Sequence, residues 1–271
     1  MTVSYRTGIT ILQIIFFIPS LCVAVYLCFQ NGLKSAGTWR FIATLSALRV
    51  AGDVSYFISL NHPSLDVEVS VIVCELMGLA PLMLVLVALV GRVNKITHSF
   101  PVKAPLVISL LSLTGLIVGI VGTNNALHDA ETTNSVGVNA LMRAAVALFL
   151  AGFGLMLFSF FMVVFDVKMH PAKGTTLGRE MRVLYIVGLA APFVLVRLVY
   201  GAIGDFTGNR EFSVLYGNNT IYLCMGILME IIAITLVLSI PFLVPERSDK
   251  SEGPQNNAEE NGSSETTSET K

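Results

Sequence analysis

The stretch AAVALFLAGFGLMLFSFFMVVF, residues 144–165, contains no charged side chain. About 20 apolar residues are enough for an α-helix to cross the hydrocarbon core of a bilayer. The whole chain has the same character, since 54% of its 271 residues are hydrophobic and only 13% are charged. A soluble domain carries about 25% charged residues. The sequence therefore predicts an integral membrane protein with the lipid bilayer as its surroundings.

Other segments of the chain repeat this length and hydropathy, so the predicted fold is an all-α bundle of seven transmembrane helices. The predicted spans are residues 8–29, 39–60, 69–90, 104–122, 139–165, 183–204 and 218–243. After Pro245 the composition becomes polar, acidic and rich in Ser and Thr, which is typical of disorder. We therefore divide the chain into a transmembrane domain, 1–245, and a disordered cytosolic tail, 246–271.

The distribution of basic residues predicts the orientation of the bundle. One set of predicted loops contains most of the lysines and arginines, whereas the opposite set contains only Arg6 and Arg210. Because basic residues concentrate on the cytosolic side, the N-terminus is expected outside or in a lumen and the C-terminus in the cytosol. The net charge of −1 gives no basic field for nucleic acid. The four cysteines lie in or near apolar runs and are expected to be buried free thiols.

Five ionisable residues lie deep inside predicted spans, where a charge costs at least about 2.5–3.5 kcal/mol on insertion scales. They are Arg49 and Asp53 in the second span, Glu75 in the third, Arg197 in the sixth and Glu230 in the seventh. Counted from the predicted outer ends, Asp53, Glu75 and Arg197 lie roughly 10 Å deep, and Arg49 and Glu230 roughly 17 Å deep. We therefore expect charges to pair within each of these two layers and not between them.

Helical spacing places these charges beside other polar and small residues. Ser46, Arg49, Asp53 and Tyr56 follow intervals of three, four and three, which define one stripe of a helix. The sixth and seventh spans repeat the pattern with Arg197, Tyr200 and Gly201, and with Tyr222, Gly226 and Glu230. Two interpretations remain open. The charges form either a polar pocket in the outer half of the bundle or ion pairs that only fix helix register.

Several familiar site types are excluded. The last span, 218–243, contains no lysine to tether retinal. The histidines fall in predicted loops on both sides of the membrane and cannot converge on one metal ion; they are His62, His98, His128 and His170. The chain contains no P-loop or Gly-rich dinucleotide motif. We therefore predict neither a metal nor an organic cofactor.

Four stretches carry a resemblance to known proteins: LRVAGDV (48–54), CELMGLAPLML (74–84), PFVLVRLVYGAIGDF (192–206) and LMEIIAI (228–234). Over residues 8–245 the chain resembles fungal seven-span membrane proteins known only as a domain of unknown function. It also resembles membrane-bound terpene cyclases of fungal meroterpenoid pathways, of the ascofuranone and macrophorin kind. The resemblance implies a cyclase for a lipophilic prenylated precursor, located in the endoplasmic reticulum.

The leading hypothesis is therefore a membrane-embedded terpene cyclase that protonates an epoxide or olefin and closes rings on the resulting cation. Glu230 and Asp53 are the preferred acids, with Glu75 third. Arg49 and Arg197 would hold these acids in place and determine which of them keeps its proton. Tyr56, Tyr200 and Tyr222 would stabilise the carbocation through their ring faces, and together with the arginines they form the predicted substrate-binding set.

Two other classes of function fit the same residues. A transporter of small lipophiles would use the buried charges to bind a solute or to couple its movement to protons. A seven-span sensor or receptor would use the Ser/Thr-rich tail as a phosphorylation-controlled segment. The sequence identifies no protein partner for any of the three.

Overall fold

The computed structural model describes residues 5–30, 37–61, 70–71, 73–74, 78–97, 99–101, 103–133, 139–169, 175–207 and 218–243. Within these ranges the chain is helical, with short turns and no β-strand. The helices are α1 (Tyr5–Gln30), α2 (Gly37–Asn61), α3 (Leu79–Thr97), α4 (Ala104–Thr133), α5 (Ala140–Met169), α6 (Thr175–Thr207), α7 (Asn219–Leu238) and α8 (Ile240–Leu243). The fold is therefore the all-α bundle that the sequence predicts.

Within the described ranges, six helices are long and apolar enough to cross a membrane: α1, α2, α4, α5, α6 and α7. Their outward faces expose large apolar side chains, for example Phe29, Phe161 and Tyr185. Contiguous apolar surface of this extent marks a membrane-facing protein. Hydroxyl groups within the spans bond to carbonyls one turn back, as Ser112 does to Ile108 and Ser159 to Leu155. These two hydroxyls are thus satisfied within their own helices.

Helix α3 is the core of the bundle. It packs against α2, α4, α5 and α6. Between 80 and 90 nearly every side chain is buried, including Leu82, Met83, Leu86 and Leu89. Residues enclosed on all sides need no polar face, which explains why this part of α3 is apolar in every direction.

The third predicted span, 69–90, differs from the structure. Residues 70–71 and 73–74 are helical, Gly78 lies in a turn, and α3 then runs from Leu79 to Thr97. Pro81 is therefore in the first turn of a new helix, where proline is tolerated because the first amides have no helical acceptor. The prediction placed Pro81 inside one continuous helix, because hydropathy does not show where a helix is interrupted by a turn.

Hydrogen bonds fix the two ends of the bundle. At one end, the Asn94 side chain bonds both the amide and the carbonyl of Phe100, at 3.0 Å each, and so closes the turn between α3 and α4. Ser99 donates to Asp166 of α5 at 2.8 Å. At the opposite end, Arg143 of α5 donates to the carbonyl of Asp205 of α6 at 3.2 Å. Because the start of α5 meets the end of α6, these two helices run antiparallel.

The cysteines are all free, as predicted, but they are not all buried. Cys28 is buried and Cys74 is half-buried, whereas Cys22 and Cys224 are exposed on the outward faces of α1 and α7. The expectation of buried thiols is therefore wrong for the latter two. An exposed apolar position is common in a membrane span, because lipid takes the place of the protein core.

Candidate functional site

A buried ion pair joins α2 to α7 in the middle of the bundle. Arg49 donates from Nε to Oε1 of Glu230 at 2.8 Å, and its Nη2 donates to Oε2 of the same carboxylate. The exposed fractions of the two side chains are 2% and 1%. Two parallel bonds between a guanidinium and a carboxylate are the strongest form of ion pair in proteins. The predicted pairing of Arg49 with Glu230 at equal depth is confirmed.

A second arginine joins the same carboxylate from α6. Nε of Arg197 lies 3.8 Å from Oε2 of Glu230, and Arg197 is also buried. The expectation that charges counted to different depths do not pair is therefore wrong for this contact. Counting residues locates the Cα atom, but the flexible stem of an arginine carries the charge well away from it. We name Arg49, Arg197 and Glu230 the interior charge cluster.

Glycine brings the start of α3 against this cluster. A Cβ atom on Gly78 would lie 2.9 Å from Nη2 and 3.0 Å from Nε of Arg49. Gly52, on the same helix as Arg49, similarly approaches Cys74, because its Cβ atom would lie 2.9 Å from Cβ of that residue. Only residues without side chains permit these contacts. The turn at Gly78 thus lies at the level of the interior charge cluster.

Helix α7 departs from α-helical geometry just before Glu230. Residues Tyr222–Ile227 form a π-helix, and an α-helix follows from Leu228. A short π-helical turn inside an α-helix is rare and often lies at a functional site. The π-helical turn holds one extra residue, so the eight positions from Tyr222 to Glu230 rotate the chain by as much as about seven α-helical residues. This rotation is close to two full turns and places both residues on one face of α7. Both side chains are consequently buried in the bundle.

Two tyrosines lie beside the cluster. The rings of Tyr200 and Tyr222 are 6.5 Å apart, and the guanidinium carbon of Arg197 is 5.8 Å from the centre of the Tyr200 ring. Ile9 and Ile227 complete a small buried group around them. The structure therefore brings two of the three predicted tyrosines together.

Tyr56 lies further toward the end of α2 and contacts α1. Its hydroxyl is 3.4 Å from the Thr7 hydroxyl, and the Arg6 guanidinium lies 5.6 Å from its ring centre. Tyr56 is half-buried. The structure thus places it apart from the tyrosine pair, at the end of the bundle where α1 begins.

Asp53 is buried one turn beyond Arg49 on the same face of α2, together with Ser46. The predicted stripe of the second span is therefore confirmed. Glu75, the third predicted acid, lies outside the described residues. So do His62, His98 and His170, and the side chain of His128. Within the described part of the chain, no group of histidine, cysteine and acidic residues is arranged to hold a metal ion.

Sequence reasoning missed one further buried acid, beyond Asp53 and Glu230. Glu180 of α6 is 6% exposed and accepts a hydrogen bond from Nη2 of Arg92 in α3 at 3.3 Å. The predicted sixth span began at 183, so Glu180 was assigned to a loop. The available signal was its place three residues before that span, since membrane helices commonly extend beyond their most apolar segment.

A comparison with family models places these residues in a known group. The family described as a domain of unknown function, DUF7702, matches residues 3–247. The chain belongs to the DUF7702 family. All three members of the interior charge cluster lie within the matched region of this DUF7702 chain. Comparisons with curated proteins and with solved structures found no match.

Proposed function

We propose that this DUF7702 protein is a membrane-embedded terpene cyclase that closes rings on a lipophilic prenylated precursor. The observation that carries the proposal is the group of buried charges and tyrosine rings shared by α2, α6 and α7. Charged side chains inside a membrane bundle are costly and usually functional. This group combines acids, hydrogen-bond donors and aromatic faces, which acid-initiated cyclisation of an apolar chain requires.

The geometry favours Asp53 over Glu230 as the proton donor. Both oxygens of Glu230 accept hydrogen bonds from Arg49, and Arg197 lies near one of them. In that arrangement the carboxylate serves as an acceptor and organises the two arginines. Asp53 lies on the same face of α2, one turn away. The role of Glu75 stays a prediction.

The proposed reaction is an isomerisation. Asp53 donates its proton to an epoxide oxygen or an alkene carbon, which generates a carbocation. An alkene of the same substrate attacks the cation and forms the ring bond, and a carbon next to the final cation returns a proton to the Asp53 carboxylate. Tyr200 and Tyr222 offer ring faces that attract a cation. Neither a metal nor an organic cofactor takes part in this scheme.

The test compares metabolites from cells that carry the native gene, a deletion or Asp53→Asn. We expect the last two to accumulate an acyclic compound with the mass of the missing product but a different retention time. Asp166→Asn is the matched control, because Asp166 lies at the end of α5 and bonds Ser99. A D53N protein that inserts normally and still forms the cyclic product contradicts the assignment of Asp53.

Transport of a small lipophile is the second candidate, and the break before α3 favours it. Many transporters bind their substrate where membrane helices are interrupted. Gly78 places such an interruption against Arg49. In a transporter, the deletion moves one compound between cells and medium without changing its structure.

We further infer that the chain crosses the membrane seven times, with α3 as the additional span, and that the N-terminus faces a lumen. The support is the excess of basic residues at the end where α3 and α5 terminate. Residues 1–245 would form the membrane domain and 246–271 a cytosolic tail. The endoplasmic reticulum is the proposed membrane, because it is a usual site for enzymes that act on lipophilic precursors.

A further inference from the structure

The two ends of the bundle differ in charge. Near the end where α3 and α5 terminate, the described residues include six basic side chains and two acidic ones, Asp166 and Glu180. At the opposite end the described basic residues are Arg6 and Arg143. We call the first group the basic end; it consists of Arg40, Arg92, Lys95, Lys103, Lys168 and Arg182.

Five of the six side chains are exposed, and Arg92 is one-third exposed. The six come from five different parts of the bundle, namely α2, α3, the turn before α4, α5 and α6. They therefore form a surface distributed across the bundle rather than the polar face of one helix. A surface of one sign attracts a partner of the opposite sign.

The last described residues deliver the chain to this surface. Nη1 of Arg182 donates to the carbonyl of Leu243 at 3.2 Å, so the end of α8 is held by a member of the basic end. Residues 244–271 follow directly. A segment tethered beside a binding surface acts at an effective concentration in the millimolar range.

The charge of that segment complements the surface. Residues 246–271 contain seven acidic and three basic residues, and 252–270 contain five glutamates with no lysine or arginine. The excess negative charge of this segment is opposite in sign to the basic end. We propose that the acidic segment 252–270 docks on the basic end and that this contact is regulated by phosphorylation of its serines and threonines.

Phosphorylation would strengthen the contact. Each phosphate adds a charge of about −1.5 to −2 and three acceptor oxygens. The docking segment contains six hydroxyl residues, Ser and Thr, all of them after residue 262. The electrostatic attraction between the segment and the basic end therefore increases with each phosphate added. It does not depend on the reaction in the interior.

Proteinase K digestion of the full chain in phosphatidylcholine nanodiscs tests the proposal. We expect the native segment to be cleaved several-fold more slowly than in the variant K95Q/K103Q/K168Q. We expect the difference to disappear in about 1 M salt, where the Debye length is near 3 Å. Equal cleavage rates for native protein and variant at low salt overturn the proposal.

A second variant, with substitutions only in the segment, controls for damage that the lysine substitutions cause to the bundle. E259Q/E260Q/E265Q/E269Q leaves every described residue unchanged and should be cleaved as fast as the lysine variant. Phosphomimetic S263D/S264D should be cleaved more slowly than the native chain. Phosphatidylserine in the nanodisc should raise native cleavage toward the rate of the variants, because its anionic headgroups compete with the segment for the same basic side chains.

Discussion

The interior charge cluster and the Arg92–Glu180 pair use the same two kinds of side chain in different surroundings. Arg49 and Glu230 are almost fully enclosed and bond through two parallel contacts. Arg92 is one-third exposed and makes a single contact of 3.3 Å to Glu180. Arg92 is open to its surroundings, which weakens and screens the second pair, whereas protein side chains enclose the first. An acid and an arginine therefore form a strong, well-oriented contact in the interior and only a weak, screened contact at the end of the bundle.

The largest expected effect follows from removing the charge of Glu230. Glu230→Gln removes the charged carboxylate that both buried arginines contact, and breaking a buried pair costs about 3–5 kcal/mol. The free energy of unfolding in detergent, measured by denaturant titration, should fall by about that amount. A loss below about 1 kcal/mol would show that water or lipid reaches the cluster.

A smaller effect is expected from filling the space between α3 and Arg49. In Gly78→Ala the new methyl group meets the guanidinium at 2.9–3.1 Å. Overpacking of this kind costs about 1–3 kcal/mol. Gly154→Ala is the matched control, because nothing lies within 4 Å of its Cβ position. Thermal unfolding should separate the two variants, and equal stability would mean that Arg49 moves freely.

The smallest effect is expected at the basic end. Arg92→Gln removes one partly exposed contact to Glu180, and pairs of this kind contribute about 1 kcal/mol or less. The loss should shrink further as salt is added, because the pair is reachable by ions. If the free energy of unfolding instead falls by several kcal/mol at every salt concentration, the Arg92–Glu180 pair behaves like the interior charge cluster and the contrast is wrong.

The sequence predicted most of the helices, because about 20 apolar residues leave few alternatives inside a bilayer. It also placed Arg49 with Glu230, since equal depth and one shared face are readable from spacing. Hydropathy follows only the apolar segment, however, so it ended α4 at 122 and began α6 at 183, whereas these helices extend to Thr133 and from Thr175.

The remaining features depend on the backbone and on side-chain reach. The turn at Gly78 and the π-helix at Tyr222–Ile227 change the path of the chain without changing its hydropathy. The sequence does contain a signal for the first, since Gly78 and Pro81 together are typical of a helix start. The contact of Arg197 with Glu230 could not be predicted from depth alone, because an arginine side chain is long enough to reach from one predicted depth layer to the other.

The separation of Arg49 from Glu230 in the chain has a consequence for biosynthesis. The two residues are 181 positions apart. At about 5–20 residues per second, α2 is complete roughly 10 to 35 seconds before the ribosome adds Glu230. During that interval Arg49 has no access to its final counter-ion, while Asp53, four residues away, is already made. Helix α2 must therefore wait at the insertion machinery or keep its charge near water until the last span arrives.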